Sequence, residues 1–118
     1  LFYNSYNIKK IKVLKKKGLT LIKTKLNNEG LLDLKIVLKK LFTLGTRSLL
    51  VEGGDKISKN LIKDRLIDTF YLFQSPKILR VNKINQGFTS FGILKGKYKK
   101  VSKITSKLAK DNITIYKR

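Results

Sequence analysis

Arg47-Ser48-Leu49-Leu50-Val51-Glu52-Gly53-Gly54-Asp55 is the stretch on which the reading of this chain turns. Leu49, Leu50 and Val51 form a short apolar run that stops at a carboxylate, followed by two glycines and an aspartate. Beyond it, Ile57, Leu61 and Ile62 fall at helical spacing. The pattern predicts a buried strand, a tight turn and a helix N-terminus. Such a strand would carry Glu52 to the carboxyl edge of a sheet, where open α/β folds keep their ligand crevice. Gly53 and Gly54 lack a Cβ and let a ligand approach the main chain. The helix beyond offers unpaired N–H groups and a positive dipole end, which suit phosphate. The plainer reading is a βα turn with Glu52 solvated and Asp55 a simple N-cap. Neither GxGxxG nor GxxxxGK followed by Ser or Thr is present, so the standard nucleotide fingerprints do not apply.

Upstream, Asp33–Leu44 carries Leu34, Val37, Leu38, Leu41 and Leu44 as one apolar stripe, with Lys35, Lys39 and Lys40 opposite. Asp33 is the expected N-cap and Gly45 the stop. Earlier still, Ile8, Ile11 and Leu14 predict a helix over Ile8–Lys17 ended by Gly18, with Lys15-Lys16-Lys17 at its favourable end. Leu19–Thr24 reads as a strand and Asn27-Asn28-Glu29-Gly30 as a loop. Downstream of the central stretch, a helix is expected over roughly Lys56–Lys63. Asp68–Gln74 should be a buried strand ended by Pro76, with Phe70, Tyr71 and Phe73 as core and strand-face residues rather than a base-stacking platform. Asn82–Ser90 reads as a loop. Val101–Leu108 and Ile113–Tyr116 fit a closing antiparallel hairpin about Lys110-Asp111-Asn112, with a helix over Val101–Leu108 as the alternative. This alternation predicts an α/β fold with a mainly parallel sheet flanked by helices and an antiparallel C-terminal edge.

At 118 residues and 42% hydrophobic content, the chain suits about one domain with a real core. No apolar run reaches a membrane span, and no secretory signal is evident. With no Cys and no His, thiolate catalysis, disulfides, ordinary zinc sites and imidazole acid–base chemistry are excluded. The formal charge of +21 invites a nucleic-acid reading. Against it, the only arginines are Arg47, Arg65, Arg80 and Arg118, and the lysines are spread from Lys9 to Lys117. Base-reading surfaces favour Arg forks, so non-specific attraction at low salt is the expectation. The chain starts at Leu1 and has no Met, which predicts an N-terminally truncated piece of a longer protein.

Three segments occur together in order: Val51-Glu52-Gly53-Gly54, Leu66-Ile67-Asp68 and Ser75-Pro76-Lys77-Ile78-Leu79. In this order and spacing they resemble the C-terminal half of the riboflavin-biosynthesis reductase domain, the RibD C-terminal domain. The resemblance implies a dihydrofolate-reductase-like fold. It implies reduction of a phosphoribosylamino pyrimidine to its ribitylamino form, with NADPH as hydride donor. By position, Glu52 is the residue expected to contact the substrate ribose. Gly53, Gly54, Asp55, Lys56, Ile57, Ser58, Lys59 and Asn60 are expected to form part of the NADPH phosphate-binding segment, although Lys56 and Lys59 also read as solvated helix lysines. The resemblance names no general acid and no metal ligand in this chain. It further implies a cytoplasmic homodimer, often fused to a zinc-dependent deaminase domain. The family's opening strands are not in this sequence, so these residues alone are expected to make a poor or inactive enzyme. Two readings compete: a basic α/β module that grips nucleic acid, and a reductase of the same fold with another pterin or pyrimidine substrate.

Overall fold

Residues 1–5, 7–76, 88–105 and 111–118 are described in the computed structural model, and the chain divides after Leu50 into two units. In Leu1–Leu50 the elements are β1 (Phe2–Tyr3), α1 (Ile8–Lys16), β2 (Ile22–Lys23) and α2 (Leu34–Thr43). β1 and β2 run parallel, Phe2 beside Ile22 and Tyr3 beside Lys23. The expected strand over Leu19–Thr24 therefore shortens to Ile22–Lys23. Asn7 caps α1 by accepting from Lys10 N–H at 3.0 Å. The Asp33 carboxylate caps α2, accepting from Lys35 N–H at 2.9 Å and Ile36 N–H at 3.2 Å. Gly45, at φ +94, ends α2 in the left-handed region. The α2 stripe of Leu34, Val37, Leu38 and Leu41 is half-buried, and neither α1 nor α2 has a fully buried residue.

Val51–Arg118 holds α3 (Asp55–Lys63), β3 (Thr69–Gln74), α4 (Phe91–Lys97), β4 (Lys99–Thr105) and β5 (Asn112–Lys117). Its sheet has the order β3-β5-β4, antiparallel throughout, with Phe70 opposite Tyr116 and Leu72 opposite Thr114. Ile62 of α3 and Leu94 of α4 are wholly buried, and with Leu72, Tyr98 and Tyr116 they form the core. Phe91 meets Tyr116 edge-on at 6.5 Å, and Phe88 lies 5.4 Å from Phe70. Ile67 N–H donates to the buried Tyr98 hydroxyl at 3.4 Å.

Several expectations need correction. The sheet is not mainly parallel: β1–β2 is the parallel pair, while β3, β4 and β5 are antiparallel. Leu49–Val51 is not a strand, and Leu49, Leu50 and Val51 are 50%, 79% and 42% exposed. A strand persists only within a ladder, and among the described residues none pairs with this stretch. β3 is half-buried rather than buried. Phe70 and Leu72 face the helices, whereas Tyr71 and Phe73 lie on the opposite face and are exposed, because helices of this unit cover one side of an antiparallel sheet. The closing hairpin is present as β4 and β5, so the helix alternative falls for Val101–Thr105. Residues 77–79 of the Ser-Pro turn, 82–87 of the expected loop, 106–108 and Lys110 lie outside the described residues.

The two margins of this sheet differ. β4 carries Lys99, Lys100 and Lys103 and a register shift between Lys100 and Ser102. β3 reads Thr-Phe-Tyr-Leu-Phe-Gln, without a charge. Lysines and bulges are the usual guards of a sheet edge, and here they sit on β4 alone.

Candidate functional site

The residues singled out in the sequence gather at the start of α3, a helix held in place by burial of Leu61 and Ile62. Gly54 is its N-cap and, having no side chain, makes no cap hydrogen bond. Its carbonyl accepts from Ser58 N–H at 3.2 Å, closing the first turn. Among the described residues no side chain is hydrogen-bonded to the N–H groups ahead of that bond, which leaves the positive end of the helix dipole uncapped.

The two glycines serve different ends. A Cβ on Gly53 would collide with Cγ2 of Ile57, so position 53 has no room for a side chain. Among the described residues a Cβ on Gly54 would meet nothing within 4 Å, and its φ of −71 suits any residue. The glycine at 54 therefore does not serve packing or backbone strain. What it provides is open space at the helix end.

Lys56 and Lys59 lie three residues apart, both exposed, in the first half of α3. Cations at a helix N-terminus oppose the dipole, and a bound anion relieves that conflict. Ser58 and Asn60 are half-buried, and Ile57 is 37% exposed beside Gly53. Glu52 is exposed in the irregular segment before the turn, not at the carboxyl edge of a sheet.

Asp55 departs from the N-cap reading. Its carboxylate does not cap α3; it faces the segment that opens α4. Oδ1 accepts from Thr89 N–H at 2.9 Å, Ser90 N–H at 3.2 Å and Ser90 Oγ at 3.0 Å, and Oδ2 accepts from the Thr89 hydroxyl. The Thr89 hydroxyl bond is the main cause holding this carboxyl below its ordinary value; burial opposes it, and the bonds from Ser90 and the Thr89 amide assist. The sign follows. A carboxylate with a lowered pKa contributes stability that is full above the ordinary aspartate range (about 3.9) and fades as pH falls through the lowered value. In an acid titration, the Thr89 and Ser90 amide resonances should therefore shift with a midpoint below that range; a midpoint at or above it would contradict the contact.

Sequence reasoning missed Thr89, Ser90 and α4. The signal was present, since Thr-Ser before Phe91-Gly92-Ile93-Leu94 is a helix-start pattern. Gly92 and Gly96 lower helix propensity enough to hide it. Beside this junction, Leu72, Phe73, Gln74, Phe88 and Phe91 line a cleft of about 290 Å³.

A family model described as the RibD C-terminal domain matches residues 3–109. This chain belongs to that family. The RibD C-terminal domain is associated with the reductase function of riboflavin biosynthesis, which makes the chain a reductase-type oxidoreductase by membership. The match spans the irregular turn at Glu52–Gly54, all of α3 and α4, and the Thr89–Ser90 contact. Among the described residues of this RibD-family chain, no helix is long and apolar enough to cross a membrane.

Proposed function

We propose that this chain is the C-terminal part of a single, dihydrofolate-reductase-like domain that reduces 5-amino-6-(5-phosphoribosylamino)uracil to its ribitylamino form with NADPH. The observation that carries the reading is the uncapped start of α3, with open space at Gly54 and cations at Lys56 and Lys59. That donor set fits a phosphate group of a dinucleotide: main-chain N–H groups for hydrogen bonds, the helix dipole and two lysines for charge. When bound, NADPH supplies the hydride. The chain's own residues bind and orient. Gly54 and the N–H groups of Lys56 and Ile57 hold phosphate, and Glu52 accepts hydrogen bonds from sugar hydroxyls. Such positioning suits a chain without His or Cys, since hydride transfer depends on placing two carbons closely. A cytoplasmic homodimer is part of the same proposal.

The deciding experiment is an NADPH titration near physiological salt with duplex DNA as competitor. Saturable binding that DNA leaves unchanged supports the reductase. A second reading is favoured by Tyr71 and Phe73, whose exposed rings share a sheet face with Lys99 and Lys117 in a chain of net charge +21. Absent NADPH binding, with tight and salt-sensitive DNA binding, would make that basic face the functional one. In the assembled enzyme, with the upstream sequence restored, Glu52→Gln should lower turnover of the phosphoribosylamino substrate about tenfold, the loss of one charge-assisted hydrogen bond, and leave NADPH affinity in place. Lost NADPH affinity with intact turnover would reassign Glu52.

A further inference from the structure

We propose that Asp55 is a positioning residue. On the phosphate-binding reading of α3, its carboxylate clasps Thr89 and Ser90, fixing the start of α4 and leaving the first turn of α3 free for the anionic ligand.

An aspartate at the first position of a helix ordinarily sits over its own N–H groups and neutralises the dipole. A phosphate arriving there would meet a negative charge and occupied donors. Here the carboxylate turns to the other helix start. Among the described residues its donors come from Thr89 and Ser90, from both amides and both hydroxyls. Asp55 thus ties down the two residues that lead into α4, including its N-cap Ser90, which makes no side-chain cap bond of its own.

α4 needs that support. It has seven residues, two of them glycine, and short glycine-containing helices are weak alone. Ser90 is buried, so its hydroxyl needs a protein partner, and Asp55 is that partner. The clasped pair is flanked in sequence by Phe88 and Phe91, which line the aromatic cleft with Leu72, Phe73 and Gln74. One carboxylate therefore anchors the segment that joins Phe88 to Phe91, next to the uncapped start of α3.

The test is an NADP+ titration of the 15N-labelled chain, followed at the Lys56 and Ile57 amides, with Thr89 and Ser90 reporting the clasp. In Asp55→Asn, the Thr89 and Ser90 amides should lose their carboxylate-bonded shifts, and the Kd read at Lys56 and Ile57 should rise about tenfold. Thr89→Ala removes an exposed hydroxyl and one of the four bonds. It should give a smaller rise in the same direction, an ordering that general loosening of the fold would not reproduce. If Asp55→Asn opens the clasp yet binds NADP+ as tightly as the unchanged chain, the positioning role is overturned and the phosphate site stands. If the unchanged chain shows no saturable shifts at Lys56 and Ile57, the phosphate site itself is wrong, and this role falls with it.

Discussion

Leu94→Ala is expected to destabilise the Val51–Arg118 unit by about 2–5 kcal/mol, the usual range for emptying a fully buried leucine site. Leu94 is wholly buried on the inner face of α4, against Ile62, Leu72, Tyr98 and Tyr116. Those neighbours come from α3, β3, the end of α4 and β5, so the cavity is walled by elements that cannot all move inward together. A domain is stable by about 5–15 kcal/mol, which makes this loss a large share of the total. Urea unfolding followed by far-UV circular dichroism measures it, with Leu50→Ala as control. Leu50 is 79% exposed, and its truncation should stay within about 0.5 kcal/mol. A Leu94→Ala loss no greater than that of the control would mean that α4 does not close this core.

Gly54→Leu should reduce NADPH affinity by on the order of 100-fold, the loss of about two charge-assisted hydrogen bonds, while leaving thermal stability nearly unchanged. The two glycines make this a controlled comparison. At Gly54 a side chain enters open space at a backbone angle that leucine accepts, so the fold has no reason to object. At Gly53 an added methyl meets Ile57, whose β-branched side chain is stiff within a helix. Gly53→Ala should therefore cost about 1 kcal/mol, the scale of a displaced rotamer. Thermal melts and NADPH titrations of both variants separate the effects. Full NADPH affinity in a folded Gly54→Leu chain would remove the anion site from α3.

Helices α1, α2 and α3 were legible because their signals are local. Asp33, Gly18 and Gly45 mark boundaries through local backbone and capping geometry, and the Ile57, Leu61 and Ile62 spacing is a property of one helix; the Asn7 cap of α1 was not read from the sequence. The closing hairpin was legible for the same reason. Strand pairing is not local. Leu49-Leu50-Val51 reads as a strand in isolation, yet its state depends on a neighbour that the run of residues cannot specify. The aromatic segment Thr69–Gln74 could be read as a strand, but whether one or both faces are covered depends on what packs on it. At the site, the glycine turn and α3 were evident, whereas the role of Asp55 was not. Its partners lie 34 and 35 residues away, and one carboxylate can cap its own helix or another with the same sequence around it.

The uneven guarding of the β3-β5-β4 sheet has a colloidal consequence. Among the described residues β3 is a charge-free, aromatic margin of its sheet, and at a net charge of +21 each, copies of the chain repel one another at long range. That repulsion acts over about 30 Å at 0.01 M salt and only about 3 Å at 1 M. Concentrated salt, usually chosen to keep basic proteins off nucleic acid, would strip away the long-range barrier and strengthen apolar contact between exposed margins. Dilute salt keeps the copies dispersed while sharpening every attraction to polyanions. Solubility and selectivity in this chain thus pull ionic strength in opposite directions, and the intermediate range is where its ligand preferences are readable.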